Sequence, residues 1–162
     1  MNADLVPNDD IIEWFAWHDG SESPRWALPG SCLVATSLAE SLGLRNEIWD
    51  VATDLAADGL TGDRGTDMFY RREWLPIAST TASGGPLVVV LDGRRAEPPI
   101  LRVQWDNGES AAWETDLRLA DIVRHWTKVL QTGRYRFSVD VDMWVGNPRE
   151  LPPELQILAL VG

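Results

Sequence analysis

A chain of 162 residues is about the length of one domain, enough to bury roughly 70% of its unfolded surface without disulfide or metal staples. Its 14 basic and 25 acidic residues leave a formal charge of −11, a field that repels phosphate backbones and argues against direct nucleic-acid binding. Cys32 is the single cysteine, so neither an intramolecular disulfide nor a cysteine-built metal site is expected.

Met1-Asn2-Ala3-Asp4 has no basic segment and no apolar signal core, and no apolar run approaches the roughly 20 residues of a membrane span. A cytoplasmic protein without a membrane contact is the expectation. Nine tryptophans stand out. An indole brings a large apolar area and an N–H that needs a partner, which places most of them in the core and makes any exposed one informative.

In chain order, Pro7-Asn8-Asp9-Asp10 is a helix start, with Asn8 or Asp9 as N-cap and acids in the first turn. Ile11, Ile12 and Phe15, with Trp14 beside them, supply its apolar stripe, and Gly20 stops it. Ser21 to Gly30, rich in Ser, Pro and Gly, reads as loop. Ser37-Leu38-Ala39-Glu40 has capping-box spacing. Leu38, Leu42, Arg45, Ile48, Trp49, Ala52, Leu55 and Ala56 follow at helical intervals to about Asp58, with Gly43 as a candidate break. A polar loop spans 58–66.

A β-meander comes next. Trp74 to Ala78 is a short strand whose Pro76 suggests an edge or a strand start. Leu87-Val88-Val89-Val90-Leu91 is apolar throughout, the pattern of a strand covered on both faces. Ile100 to Trp105 alternates and runs into Asn107-Gly108, the favoured two-residue hairpin turn, which pairs Trp105 with Ser110 and Arg102 with Trp113.

Asp116 is then expected to cap a helix whose stripe is Leu119, Ile122, Val123, Trp126, Val129 and Leu130, ended by Gly133. Tyr135 to Trp144 alternates as one strand, with Tyr135, Phe137, Val139, Val141 and Met143 on one face and Arg136, Ser138, Asp140, Asp142 and Trp144 on the other. A short helix follows Pro152-Pro153. Helices set around one sheet, without regular βαβ alternation, make this α+β: a single domain over 1–162 with one central, mostly antiparallel sheet.

The residues that carry chemistry do not converge in sequence. His18 and His125 lie in different elements without metal-ligand spacing. His18, at a helix end, reads as a surface or capping residue, and His125, beside an apolar stripe, as a satisfied or half-exposed histidine. Asp140-Val141-Asp142 resembles an Asp-x-Asp metal motif, but two-residue alternation on a solvated strand face accounts for it. Gly84-Gly85 precedes a strand, not a helix, and reads as a turn. Cys32, beside Leu33 and Val34, reads as a small buried residue. No catalytic residues, cofactor or metal are expected.

Several stretches together resemble the SUKH superfamily, specifically its Smi/Knr-type domain. They are Trp14-Phe15-Ala16-Trp17-His18-Asp19-Gly20; Leu33 to Glu40; Trp74-Leu75-Pro76-Ile77-Ala78-Ser79 with Gly84-Gly85 and Leu87 to Asp92; the strands ending at Trp105-Asp106; and Leu119-Ala120-Asp121-Ile122-Val123. The likeness spans roughly residues 5 to 130, departing at Pro86, where the family usually has Asp, and in the loop Gly93 to Pro98. It implies an α+β domain without catalytic residues. Many bacterial members are immunity proteins that block a toxin, often a nuclease or nucleic-acid deaminase, whereas fungal members act in cell-wall assembly and signalling.

The resemblance implies a protein that neutralises a basic toxin, which the −11 charge suits because complementary charge speeds association. The candidate contact residues are Asp63 and Asp67 in the mid-chain loop, Glu109 and Glu114 on the hairpin, Asp140 and Asp142 on the last strand, and Trp113 or Trp144 as aromatic anchor. The alternative is a regulatory adaptor with no toxin partner. A third, a sensor or hydrolase built on His18 or His125, requires a pocket with polar groups converging on a histidine.

Overall fold

The computed structural model describes residues 5–20, 27–29, 31, 33–80, 85–106, 109–115 and 117–156. Its elements are α1 (Asp9–Trp17), β1 (Leu33–Ala35), α2 (Leu38–Ala57), β2 (Trp74–Thr80), β3 (Leu87–Val90), β4 (Ile100–Asp106), β5 (Glu109–Glu114), α3 (Leu119–Gln131), β6 (Arg136–Ser138) and β7 (Met143–Val145). Three short 3-10 segments, Gly62–Met68, Pro148–Glu150 and Pro153–Leu155, complete them. The class is α+β. Five strands form an antiparallel sheet in the order β1-β2-β3-β4-β5, and β6 and β7 pair separately.

The sheet is covered on both faces, as the unbroken apolar run of β3 requires. Leu87 and Val89 join Leu75, Ile77 and Ile100 under Ile11 and Trp14 of α1 and Ile122 and Trp126 of α3. Val88 faces the other way with Val103 and Trp74, under Ala52 of α2 and the Phe69-Tyr70 corner, with Ile48 and Trp49 packed alongside. Tyr70, fully buried, donates its hydroxyl to the Trp74 carbonyl at 3.2 Å, and burial pushes its phenol up.

β2 explains its own proline. β1 pairs only with Ala78, Ser79 and Thr80, so the half of β2 holding Pro76 has β3 as its one strand neighbour, and the register shifts between Pro76 and Ala78. The missing N–H therefore falls where β1 has already ended. The chain leaves β1 through Thr36, whose N–H donates to the Ile77 carbonyl at 3.3 Å, and α2 begins beside that notch.

α2 starts as its capping box requires. The Glu40 N–H donates to Ser37 Oγ at 3.1 Å and the Ser37 N–H to Glu40 Oε2 at 2.7 Å. It runs unbroken through Gly43, so the candidate break is not taken; nothing lies within 4 Å of a Cβ there and the position is exposed. Arg45, on its inward face, is 4% exposed and donates from Nε and Nη2 to the Arg72 carbonyl at 2.9 and 2.5 Å.

Four expectations need correction. In α1, Trp14 is buried with Ile11 and Phe15 is half-buried, while Ile12 is 57% exposed, because the inward face is centred between 11 and 14. Leu33–Ala35 is a strand, where the sequence marked no element before Ser37. The N-cap of α3 is Arg118, whose N–H donates to Asp121 Oδ2 at 3.2 Å; Asp116 lies outside the described residues.

The fourth is the alternating stretch Tyr135 to Trp144, which is not one strand but a hairpin. Arg136, Phe137 and Ser138 pair with Val145, Trp144 and Met143, leaving Val139 to Asp142 as the turn. Phe137 and Trp144 therefore share a face, with ring centroids 5.6 Å apart. Alternation selects a continuous strand only where one face is buried; here Val139 is 84% exposed, and Asp142 takes φ +51°, a left-handed conformation Asp tolerates.

The β4–β5 register is as expected, Trp105 opposite Ser110 and Arg102 opposite Trp113. The Asn107-Gly108 turn, Cys32 and Gly84 lie outside the described residues, and Ser21–Gly30 almost wholly so. The segment after Pro152 is a 3-10 turn, Pro153–Leu155, that packs Leu155 beside Val129 and Leu151.

Candidate functional site

The described residues from Leu5 to Asp58 expose acids and no Lys or Arg. Asp9, Asp10, Glu13 and Asp19 are exposed on α1 and the turn after it, and Glu40, Glu47, Asp50, Asp54 and Asp58 along α2 and its C-cap; the one Lys or Arg among these residues is the buried Arg45. At 100° per residue, Glu40, Leu44, Glu47, Val51, Asp54 and Asp58 fall on one stripe of α2. Val51, in its middle, is 58% exposed. Carboxylates on one helix face with no intervening cation repel one another, a pattern that local stability does not favour.

Where β1 stops short, α1 and the start of α2 converge over the ends of β2 and β3 and leave an apolar groove of about 650 Å³. Its floor is Ile11, Phe15, Leu42, Leu75 and Leu91, its rim carries the exposed Ile12 and Leu38, and Asp19 is the one ionisable residue lining it among those described. One wall is the segment Leu5 to Pro7, held by the Val6 N–H donating to the Leu91 carbonyl at 2.8 Å. Gly20 closes the end. Its φ is +82°, and a Cβ there would collide with the Ser37 backbone nitrogen, so only glycine lets the turn after α1 lie against the start of α2.

A second groove, of about 550 Å³ and polar, lies over Trp74, Val90 and Leu101. It holds two of the residues nominated from sequence, Asp67 and Glu114, with Arg71, Arg94 and Arg95. Arg95 pairs with Glu114 at 2.7 Å and Arg94 with Asp92 at 3.6 Å, while the Arg71 guanidinium stands 6.0 Å from the Trp74 ring. These lining cations are thus largely matched by the protein's own acids.

The remaining nominated residues do not gather there. Asp63 is exposed on the 3-10 segment preceding Asp67. Asp140 and Asp142 are exposed in the β6–β7 turn, not on a strand, so they do not present the regular same-face pair of an Asp-x-Asp strand motif. Trp144 is half-buried against Phe137. Glu109 and Trp113 are placed on β5 by the backbone register, and their side chains lie outside the described residues.

Sequence reasoning missed Ile12, Leu38 and Val51. The 4-3-4-3-4 spacing of the α2 stripe was the available signal for Val51; the exposure of Ile12 and Leu38 had none.

His18 and Trp14 belong to an aromatic cluster, with ring centroids 4.5 Å apart, and Trp14 and Trp126 lie 5.8 Å apart. His18 has the capping role expected of it: it is the C-cap of α1, and its Nδ1 accepts from the Gly20 N–H at 3.2 Å. Burial holds its imidazole below the usual value, against the pull of Asp19. His125, 8% exposed, is held low by burial and then by Lys128, and its Nε2 is buried without a hydrogen-bond partner among the described residues, so it is neither the satisfied nor the half-exposed histidine read from sequence.

Neither histidine lines the grooves described above or the shallower one beside Trp14 and Trp17. Among the described residues, no three His, Cys, Asp or Glu side chains group as metal ligands, and no helix is long and apolar enough to cross a membrane. Trp17, 62% exposed, is the outward one among the tryptophans whose side chains are described. No family model, curated protein or solved structure matches the chain.

Proposed function

We propose that this is a non-catalytic binding domain that engages a basic protein, in the manner of an immunity protein neutralising a nuclease- or deaminase-type toxin. One observation carries the reading. α1, α2 and the turns that follow them expose nine carboxylates with no exposed Lys or Arg among the described residues from Leu5 to Asp58, and apolar side chains are exposed between them. Such a surface steers a cationic partner by its field and offers apolar contact once the partner arrives. A nuclease or nucleic-acid deaminase carries a positive surface for phosphates, and an acidic layer docked on it competes for that surface.

The test is capture of partners on the tagged protein at low salt, followed by association kinetics of the partner obtained. One stoichiometric basic protein is expected, associating more slowly as salt rises, with Glu47→Lys/Asp54→Lys slowing association by about tenfold. An association rate indifferent to both salt and the substitutions would refute the reading. Several substoichiometric partners would point to a regulatory adaptor instead.

A further inference from the structure

We infer that the apolar groove between α1 and the start of α2 receives the apolar face of a basic amphipathic helix contributed by the partner. The inference rests on the binding role proposed above and names the part of the partner that the surface fits.

Shape is the first argument. α1, the groove's long wall, has nine residues, about 13 Å at 1.5 Å per residue, which matches two to three turns of a docked helix. The floor of Ile11, Phe15, Leu42, Leu75 and Leu91 is continuous with the main core, so a side chain entering the groove meets a packed surface already in place. Ile12 and Leu38 stand 57% and 44% exposed on opposite rims. A helix laid between them would place residues at i, i+3, i+4 and i+7 against the floor, the spacing of helix-in-groove recognition.

Charge identifies the occupant's other face. Among the described residues the groove is lined by no cation, and Asp19 is its one carboxylate. Asp9 and Glu13 are exposed on α1 beside Ile12. The loop after β3, which carries Arg94 and Arg95, is tied to the start of α1 by Asn8 Nδ2 donating to the Ala96 carbonyl at 3.1 Å. Its Arg94 and Arg95 are paired with Asp92 and Glu114, so they leave the negative field over the groove largely intact. An occupant with an acidic polar face would be repelled. One with Lys or Arg flanking its apolar stripe meets Asp19 in the groove, with Asp9 exposed on the same helix and the apolar floor beneath.

The probes are two dye-labelled peptides of equal composition, about five turns long. One carries leucines along a single helical face and lysines on the rest; the other has the same residues permuted so that no face forms. Binding is read by fluorescence anisotropy at low salt, against the parent protein, Ile12→Asn/Leu38→Gln, and Glu47→Gln/Asp54→Asn. Both substitutions in the groove variant lie at exposed positions and leave the charge unchanged, and circular dichroism verifies the fold.

The amphipathic peptide should bind the parent at least about tenfold more tightly than the permuted one, and the groove variant should abolish that difference. The carboxylate variant should weaken both peptides alike. Equal binding of the two peptides, unaffected by the groove variant, would overturn the groove inference while leaving the acidic-surface reading in place. Failure of both peptides to bind would overturn the acidic-surface reading and this one with it. A homodimer that the groove variant dissociates, or an apolar small molecule that survives purification in the parent and not in the variant, would assign the groove to that occupant and overturn the helix.

Discussion

The junction that positions α2 over the groove rests on two buried hydroxyls, Thr36 Oγ1 and Ser41 Oγ, 2.8 Å apart at 5% and 0% residue exposure. Each is the other's side-chain partner, so Thr36→Val strands the Ser41 hydroxyl and Ser41→Ala strands that of Thr36. A stranded buried hydroxyl costs about 1–3 kcal/mol, and for a domain of this length each kcal/mol lowers Tm by about 2–4 °C. Removing both hydroxyls leaves neither stranded, so the double variant should lose less than about 1 kcal/mol. The two single losses together should then exceed the double loss by at least about 1 kcal/mol. Urea unfolding of the parent, both single variants and the double variant measures it. Losses that add to within about 0.5 kcal/mol would show that the hydroxyls do not depend on each other, and the account of this junction would fail.

Three further outcomes follow from the same geometry. His18 and His125 are held below the ordinary imidazole value in the fold, so the unfolded chain takes up protons that the fold refuses. Their contribution to stability is complete above about pH 6.5 and falls as pH drops toward the lowered folded values; His18→Gln/His125→Gln should flatten the loss of urea midpoint between about pH 7 and pH 5, and an identical slope in the variant would refute this. Gly133→Ala should destabilise by about 1 kcal/mol through backbone conformation alone, because Gly133 has φ +68° and nothing lies within 4 Å of the added Cβ; thermal unfolding measures it. Glu114→Gln breaks the exposed pair with Arg95 and should change stability by less than about 1 kcal/mol, so a larger loss in urea unfolding would show that the pair does more than its exposure suggests.

Much of the fold is legible in the chain because its signals are local. Ser37 and Glu40 mark the start of α2 through backbone donors a few residues away, and the apolar run Leu87 to Val90 reads as a two-face-covered strand because burial on both faces removes alternation. The β4–β5 register follows from the chemistry of one turn. Local signals failed where nothing nearby decided between alternatives. The alternation from Tyr135 to Trp144 is compatible with one long strand or with a hairpin, and the absence of a covering layer over Val139 and Val141 lets the chain turn.

What the sequence determined by itself was the class, α+β, the acidic balance, and the helices and strands whose partners lie close along the chain. The tertiary structure alone decided which apolar residues remain outside. Ile12 and Leu38 fall on the apolar stripes read from sequence with Ile11 and Leu42, yet both are exposed where β1 ends beside Ala78 and no strand among the described residues fills the notch beyond it, Ile12 also lying off the inward face of α1. It also separated the eight nominated contact residues, putting Asp67 and Glu114 in one groove and Asp140 and Asp142 on a distant hairpin turn. The physical reason is that periodicity records which side of an element is apolar, whereas a surface is defined by what the rest of the chain leaves uncovered.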